Sequence, residues 1–109
     1  MKIVFDAMEE TVLANFCGGE KEFRANMRID ENGKILRGRL VPGASIGLHT
    51  HDTSSEIIYY LSGCGKVICD GAEERVAAGD CHYCPKGSAH TMINDGEDDL
   101  VFFAVVPLQ

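Results

Sequence analysis

Gly43-Ala-Ser-Ile-Gly-Leu-His49-Thr-His51-Asp-Thr-Ser-Ser-Glu56-Ile-Ile-Tyr-Tyr60-Leu-Ser-Gly63 is the stretch on which the reading of this chain turns. It reads as two short strands joined by the polar turn Asp52-Thr-Ser-Ser55. Side chains alternate faces along a strand, so His49 and His51, two apart, share one face. The turn returns the chain with Glu56 near that pair. A second stretch, Gly79-Asp-Cys-His82-Tyr-Cys-Pro85-Lys-Gly87-Ser-Ala-His90-Thr-Met-Ile-Asn94, supplies His90. Only a closed barrel brings His90 round to the other three.

The rest of the chain keeps the same rhythm. Asn32-Gly33, Pro42-Gly43, Asp70-Gly71, Pro85-Lys-Gly87 and Asn94-Asp-Gly96 separate short apolar or alternating runs. The spacing predicts strands at about 22–30, 34–41, 44–51, 56–62, 65–69, 73–78, 81–84, 90–94 and 99–106. Met8 to Asn15 alone leans helical. Many short strands with glycine turns predict an all-β sandwich or barrel. The unbroken apolar run Leu100 to Val106 predicts burial on both faces: one filling the barrel, the other under the N-terminal segment or another subunit.

At 109 residues the chain is expected to form one domain, 1–109, burying roughly 65% of its unfolded surface. A formal net charge of −7 and the lack of any basic cluster argue against nucleic acid or an anionic membrane as partner. The start, Met1-Lys-Ile-Val-Phe-Asp, turns acidic too soon for a signal peptide, and no run reaches the ~18 apolar residues of a membrane span. We expect a cytoplasmic protein. The five cysteines, Cys17, Cys64, Cys69, Cys81 and Cys84, fit reduced thiols packed as small apolar residues better than a disulfide framework. Cys81-x-x-Cys84 opens no helix, as a redox motif should, and no second C-x-x-C accompanies it to hold zinc.

Neutral imidazole and carboxylate suit Fe(II), Mn, Ni, Co, Cu or Zn. Four such ligands leave open positions for water or a small polar molecule. The framing carries a family resemblance. Gly43, His49-x-His51, Glu56 and Gly63 resemble the first motif of the cupin superfamily, over 43–63. Gly79, Pro85, Gly87, His90 and Asn94 resemble the second, over 79–94. The chain is similar to the short stand-alone bacterial cupins. The resemblance implies an antiparallel double-stranded β-helix, or jelly-roll barrel, with little helix. One divalent metal would sit inside one end, held by His49, His51, Glu56 and His90. Residues 1–42 would add strands covering the barrel or packing on a partner subunit. Cupins include dioxygenases, isomerases, decarboxylases and non-catalytic sugar binders, so the fold selects no reaction.

Other residues carry narrower expectations. Parity sets His82 with Cys84 and opposite Cys81 and Tyr83. We expect His82 to face outward, on the surface or at an interface; turned inward, it would be an acid–base group or support a ligand. Tyr60 shares parity with Glu56, so it is either a catalytic candidate or a packed residue. Tyr60, Met92 and Phe102 are candidate apolar pocket walls. Arg37 and Arg39 alternate with Leu36, Gly38 and Leu40 and are expected outside. Asn94 is expected to bond its own backbone at a turn. A homodimer would cover the outer side of the apolar strands. Three functions stay open: a metal-dependent enzyme on a small polar metabolite, a non-catalytic binding or sensing module, and a structural cupin with incidental metal.

Overall fold

The computed structural model describes residues 1–109. Ten strands follow in chain order: β1 Thr11–Ala14, β2 Glu22–Asp30, β3 Gly33–Leu40, β4 Ser45–Thr50, β5 Glu56–Ser62, β6 Cys64–Cys69, β7 Ala72–Ala77, β8 Cys81–Cys84, β9 Ala89–Ile93 and β10 Leu100–Pro107. The helical pieces are two single turns, Phe5–Ala7 and Phe16–Gly18. A six-stranded sheet runs β1-β2-β3-β10-β5-β8, and a four-stranded sheet runs β4-β9-β6-β7. All ladders are antiparallel. The predicted all-β antiparallel fold is the one observed.

Alternation builds the interior. Along β10, Leu100, Phe102, Ala104 and Val106 are buried while Val101, Phe103 and Val105 are half-buried. β3 alternates likewise, burying Leu36, Gly38 and Leu40. Phe23 and Phe102 stack at 5.9 Å over Gly38, where an added Cβ would lie 2.7 Å from the Phe23 ring. This layer needs glycine because two aromatic rings already fill the space.

The expected helical leaning of Met8 to Asn15 is overturned. Thr11–Ala14 pairs with Ala25 to Glu22 along β2. Thr11 and Val12 are β-branched, and the open edge of β2 offers backbone partners that a single short helix cannot match.

On the outer face, Arg37 meets Asp6 at 2.7 Å, and Arg39 meets Glu10 at 2.8 Å and Asp99 at 2.7 Å. Both arginines lie outside, as parity predicted, tied to the N-terminal segment. Phe5 packs edge-on against Phe103, with centroids 6.2 Å apart. Farther along the same face, Ile57, Tyr59, Leu61 and Tyr83 stay 41–59% exposed, an uncovered apolar stripe.

Cys81 is exposed and Cys84 buried, on opposite faces of β8, so the C-x-x-C pair does not meet. Cys17 and Cys64 are also exposed, which corrects the expectation of buried thiols. Burial and the adjacent Cys69 push the Cys84 thiol up to about 12. Asn94 is buried; its amide donates to the Leu40 and Asp98 carbonyls and its Oδ1 accepts from Gly96 N–H, the structural part expected of it.

Candidate metal centre

β4 aims the first two histidines through an irregularity. Ile46 faces Met92 and His49 faces His90 across the β4–β9 ladder, with a register shift between them. β4 therefore holds one residue more than β9 over this interval, a bulge at Gly47-Leu48. Ile46 and His49 both point inward as a result, and Leu48 is left 69% exposed. The Phe16–Gly18 turn presses on this point. A Cβ on Gly47 would lie 2.0 Å from the Cys17 carbonyl oxygen, so only glycine allows the contact. His51 follows on the same face, and the Asp52–Ser55 turn delivers Glu56 at the start of β5. His90 comes from β9, in the middle of the four-stranded sheet.

The four groups converge. His90 Nε2 lies 3.0 Å from His51 Nε2, 3.0 Å from His49 Nε2 and 2.9 Å from Glu56 Oε1. His51 Nε2 lies 3.2 Å from the same Oε1. No two of the four ligand atoms are more than 4.8 Å apart. Every imidazole turns its Nδ1 outward to a partner: His49 to the Gly47 carbonyl at 2.8 Å, His51 to Ser54 Oγ at 2.8 Å, His90 to His82 Nε2 at 3.0 Å. Those contacts suit an Nδ1–H donor, which leaves each Nε2 lone pair facing the centre.

Bare lone pairs at 3.0 Å repel, so the cluster needs protons or a cation among them. Ligand–metal bonds of about 2.1 Å in an octahedral shell put neighbouring donors about 3.0 Å apart, and a tetrahedron puts them about 3.4 Å apart. The observed edges of 2.9–3.2 Å fit the octahedral spacing better. The donor set fits a divalent transition metal.

Without a metal the same centre holds protons. Burial alone would raise the Glu56 carboxyl; Nε2–H donors on His51 and His90 outweigh it and hold the pKa at about 2, and a bound metal would displace those protons. Burial lowers His49 below its ordinary value, offset only in part by the Gly47 carbonyl. Burial and the neighbouring His90 lower His82. Glu56 is thus anionic, and His49 and His82 are biased towards neutrality, as metal binding and its support require.

The expected outward orientation of His82 is overturned. It is buried, 9% exposed, and stacks on His90 with centroids 5.2 Å apart. Its register partner Ile58 points into the core, and that fixes the inner face of β8. Sequence parity paired His82 with Cys84 but left open which face was inside. Tyr60, Met92 and Phe102 point inward, yet all three are packed core residues, at most 3% exposed. The Tyr60 hydroxyl donates to the Met92 sulfur at 3.0 Å, and burial raises its pKa. A cavity of about 320 Å³ opens onto His49 and His51 between Ile29, Lys34, Thr50, Thr53 and Val106. None of the three expected pocket walls lines it.

Comparison with known proteins defines the class. Residues 36–106 match the cupin domain family, and the chain belongs to it. The chain is 40% identical over 74 residues to an oxalate-binding protein of Thermotoga maritima, covering 68% of this chain and 61% of that one. It is 38% identical over 66 residues to an uncharacterised protein of Methanocaldococcus jannaschii, covering 60% of this chain and 53% of that protein. The matches thus span less than two thirds of either curated relative. A crystal structure of a predicted oxalate decarboxylase from Thermotoga maritima superposes over 100% of both chains, with a TM-score of 0.94 and 30% identity. A polyketide cyclase from Streptomyces resistomycificus shares the fold at a TM-score of 0.79 and 18% identity, covering 98% of this chain and 78% of that one.

Proposed function

We propose that His49, His51, Glu56 and His90 hold one divalent transition metal (Fe, Mn, Ni, Zn, Co or Cu) whose open side receives a small carboxylate of the oxalate type. The observation that carries this is the convergence of three Nε2 atoms and one Oε1 at 2.9–3.2 Å, with every Nδ1 held from outside. The bound metal supplies positive charge to a carboxylate and polarises it. The chain supplies the rest. Gly47 and Ser54 fix the two β4 imidazoles, and His82 orients His90. The anionic Glu56 completes the set. The oxalate class is suggested by the Thermotoga relatives.

Binding is favoured over turnover. Tyr60, a catalytic candidate, is sealed in the core on Met92. His82, the other, touches the back of His90 and is absent from the walls of the cavity beside His49 and His51. Neither catalytic candidate therefore stands beside the carboxylate to deliver the proton that decarboxylation to formate would need.

We read residues 1–109 as a single cupin domain in a reducing, cytoplasmic setting, consistent with five free thiols. The Ile57, Tyr59, Leu61 and Tyr83 stripe is the surface we assign to a homodimer. A monomer at micromolar concentration by analytical ultracentrifugation rules that assignment out. No helix is long and apolar enough to cross a membrane.

The deciding experiment purifies the untagged parent and His51→Ala, reconstitutes both with each metal, and measures bound metal by elemental analysis. About one metal per parent chain and a loss of at least tenfold in the variant are expected. Equal loading of both removes the ligand assignment. Oxalate turnover to formate by the loaded parent would move the reading from binder to enzyme.

A further inference from the structure

The inner face of β3 ends on a cation. Lys34 shares parity with the buried Leu36, Gly38 and Leu40, so it belongs to the same interior face at the barrel mouth. Its ladder partners are Ile29 on β2 and Val106 on β10. Val105 faces Ile57, which sets Val106 beside Glu56. Lys34 and Glu56 therefore stand in one row, two strands apart, with about 10 Å between their backbones at the usual strand spacing. The lysine stem shortens that gap, and Lys34 lines the same cavity as His49, His51, Thr50 and Thr53.

Its charge is unanswered. Arg28 pairs with Asp30, Arg37 with Asp6, Arg39 with Glu10 and Asp99, Lys66 with Glu73, and Arg75 with Asp95. Lys21 and Lys86 donate to the carbonyls of Pro42 and Gln109. Lys34 makes neither kind of contact. Asp30, the acid on the same rim, is engaged by Asn32 N–H at 2.8 Å and by Arg28 at 3.7 Å. The Lys34 residue is half-buried and its ammonium has no partner in the protein, so it is free to answer an anionic ligand. On a chain of net charge −7, with acids to spare on its surface, this one lines both the opening to the histidines and a second cavity beside Asp30, Ile35 and Val105.

We propose that Lys34 binds the outer oxygens of a small dicarboxylate whose inner oxygens face the His49, His51, Glu56 and His90 cluster. The inference rests on the metal reading above and narrows its ligand. A monocarboxylate satisfies the metal and leaves Lys34 unanswered; a compact dianion such as oxalate satisfies both. Lys34 is then the residue that sets dianion over monoanion.

The test titrates oxalate and acetate by calorimetry into metal-loaded parent, Lys34→Met and Lys34→Arg. Methionine keeps an unbranched stem one atom shorter and removes the charge; arginine keeps the charge. Lys34→Met should lose about 10- to 100-fold in oxalate affinity, the weight of one hydrogen bond to a charged group. Acetate affinity should change less than about twofold, and Lys34→Arg should recover most of the oxalate binding. All three proteins should carry equal metal. Oxalate binding by Lys34→Met at parental strength overturns the proposal, as does a loss of metal in that variant, which would make Lys34 a support of the site. A parent that loads metal but binds neither anion overturns the lysine's role and leaves the metal reading standing. A parent that loads no metal removes both.

Discussion

The two ends of one barrel interior follow the same alternation and do opposite things. At one end Phe23, Leu40, Leu100, Phe102 and Tyr60 are packed to 4% exposure or less, with a glycine cut into β3 to seat the rings. At the other, the start of β5 presents Glu56, and β8, β9 and the residue after β4 present His82, His90 and His51, each polar and each with partners. No buried side-chain nitrogen or oxygen is left without a partner. The apolar end is held by volume, and loses stability when volume is removed. The polar end is held by direction, because each ring must point one nitrogen in and one out.

That contrast can be broken at either end. The largest effect should come from the apolar end. Phe102→Ala should cost about 3–5 kcal/mol of unfolding free energy, a large share of the total for a small domain. Metal bound per folded chain should not change. Urea denaturation alongside elemental analysis tests both, and loss of metal from still-folded protein would show that the two ends are not separable.

A smaller effect belongs to His82. His82→Leu keeps bulk and removes the hydrogen-bond partner of His90 Nδ1, while His82→Gln keeps an acceptor. Metal affinity, by chelator competition, should fall about 10- to 100-fold in the first and recover in the second. Equal affinities in both would mean that His82 only fills space. A proton on His90 Nδ1, detected by nitrogen NMR of the zinc-loaded parent, is the expected signature.

Smallest is the pH dependence of the metal-free protein. His49 and His82 are lowered in the fold from 6.5, so the unfolded chain binds more protons below that pH. Their contribution to stability is present above about pH 6.5 and is lost as pH falls through their lowered values. Glu56, held at about 2 against an ordinary 4.5, contributes above 4.5 and loses that contribution as pH falls towards 2. Urea midpoints should be flat between about pH 7 and 8 and decline in acid. They should decline again above about pH 9, where the unfolded Cys84 thiol ionises and the folded one does not. Glu56→Gln should lessen the decline below 4.5. A midpoint that rises on acidification below neutrality contradicts the assigned signs.

Much of this was legible in the sequence because period two and glycine turns are local signals. Nine predicted strands formed near their predicted bounds, and the four cluster residues met. What escaped was settled by contacts distant in sequence. Met8 to Asn15 had little pattern of its own, and the free edge of β2 made a strand of it. Parity grouped His82 with Cys84, but only the pairing of β8 with β5 decided which side was inward. Lys34 was passed over because a lysine after Asn-Gly reads as a solvated turn shoulder. Its place in the row of Val106 and Glu56 depends on a strand from the far end of the chain.

The bulge at Gly47-Leu48 has a wider meaning. β4 has two ways to be threaded, much as a message has reading frames. Regular pairing from Ile46 would bury Leu48 and put both histidines in water, giving an ordinary greasy barrel. The shifted frame leaves Leu48 in solvent, forgoing about 1.5–3 kcal/mol of burial, and keeps His49 and His51 inside. The exposed leucine marks the frame that was not taken. An ion bound to the histidines favours the other, so that metal and chain would each help to specify the strand.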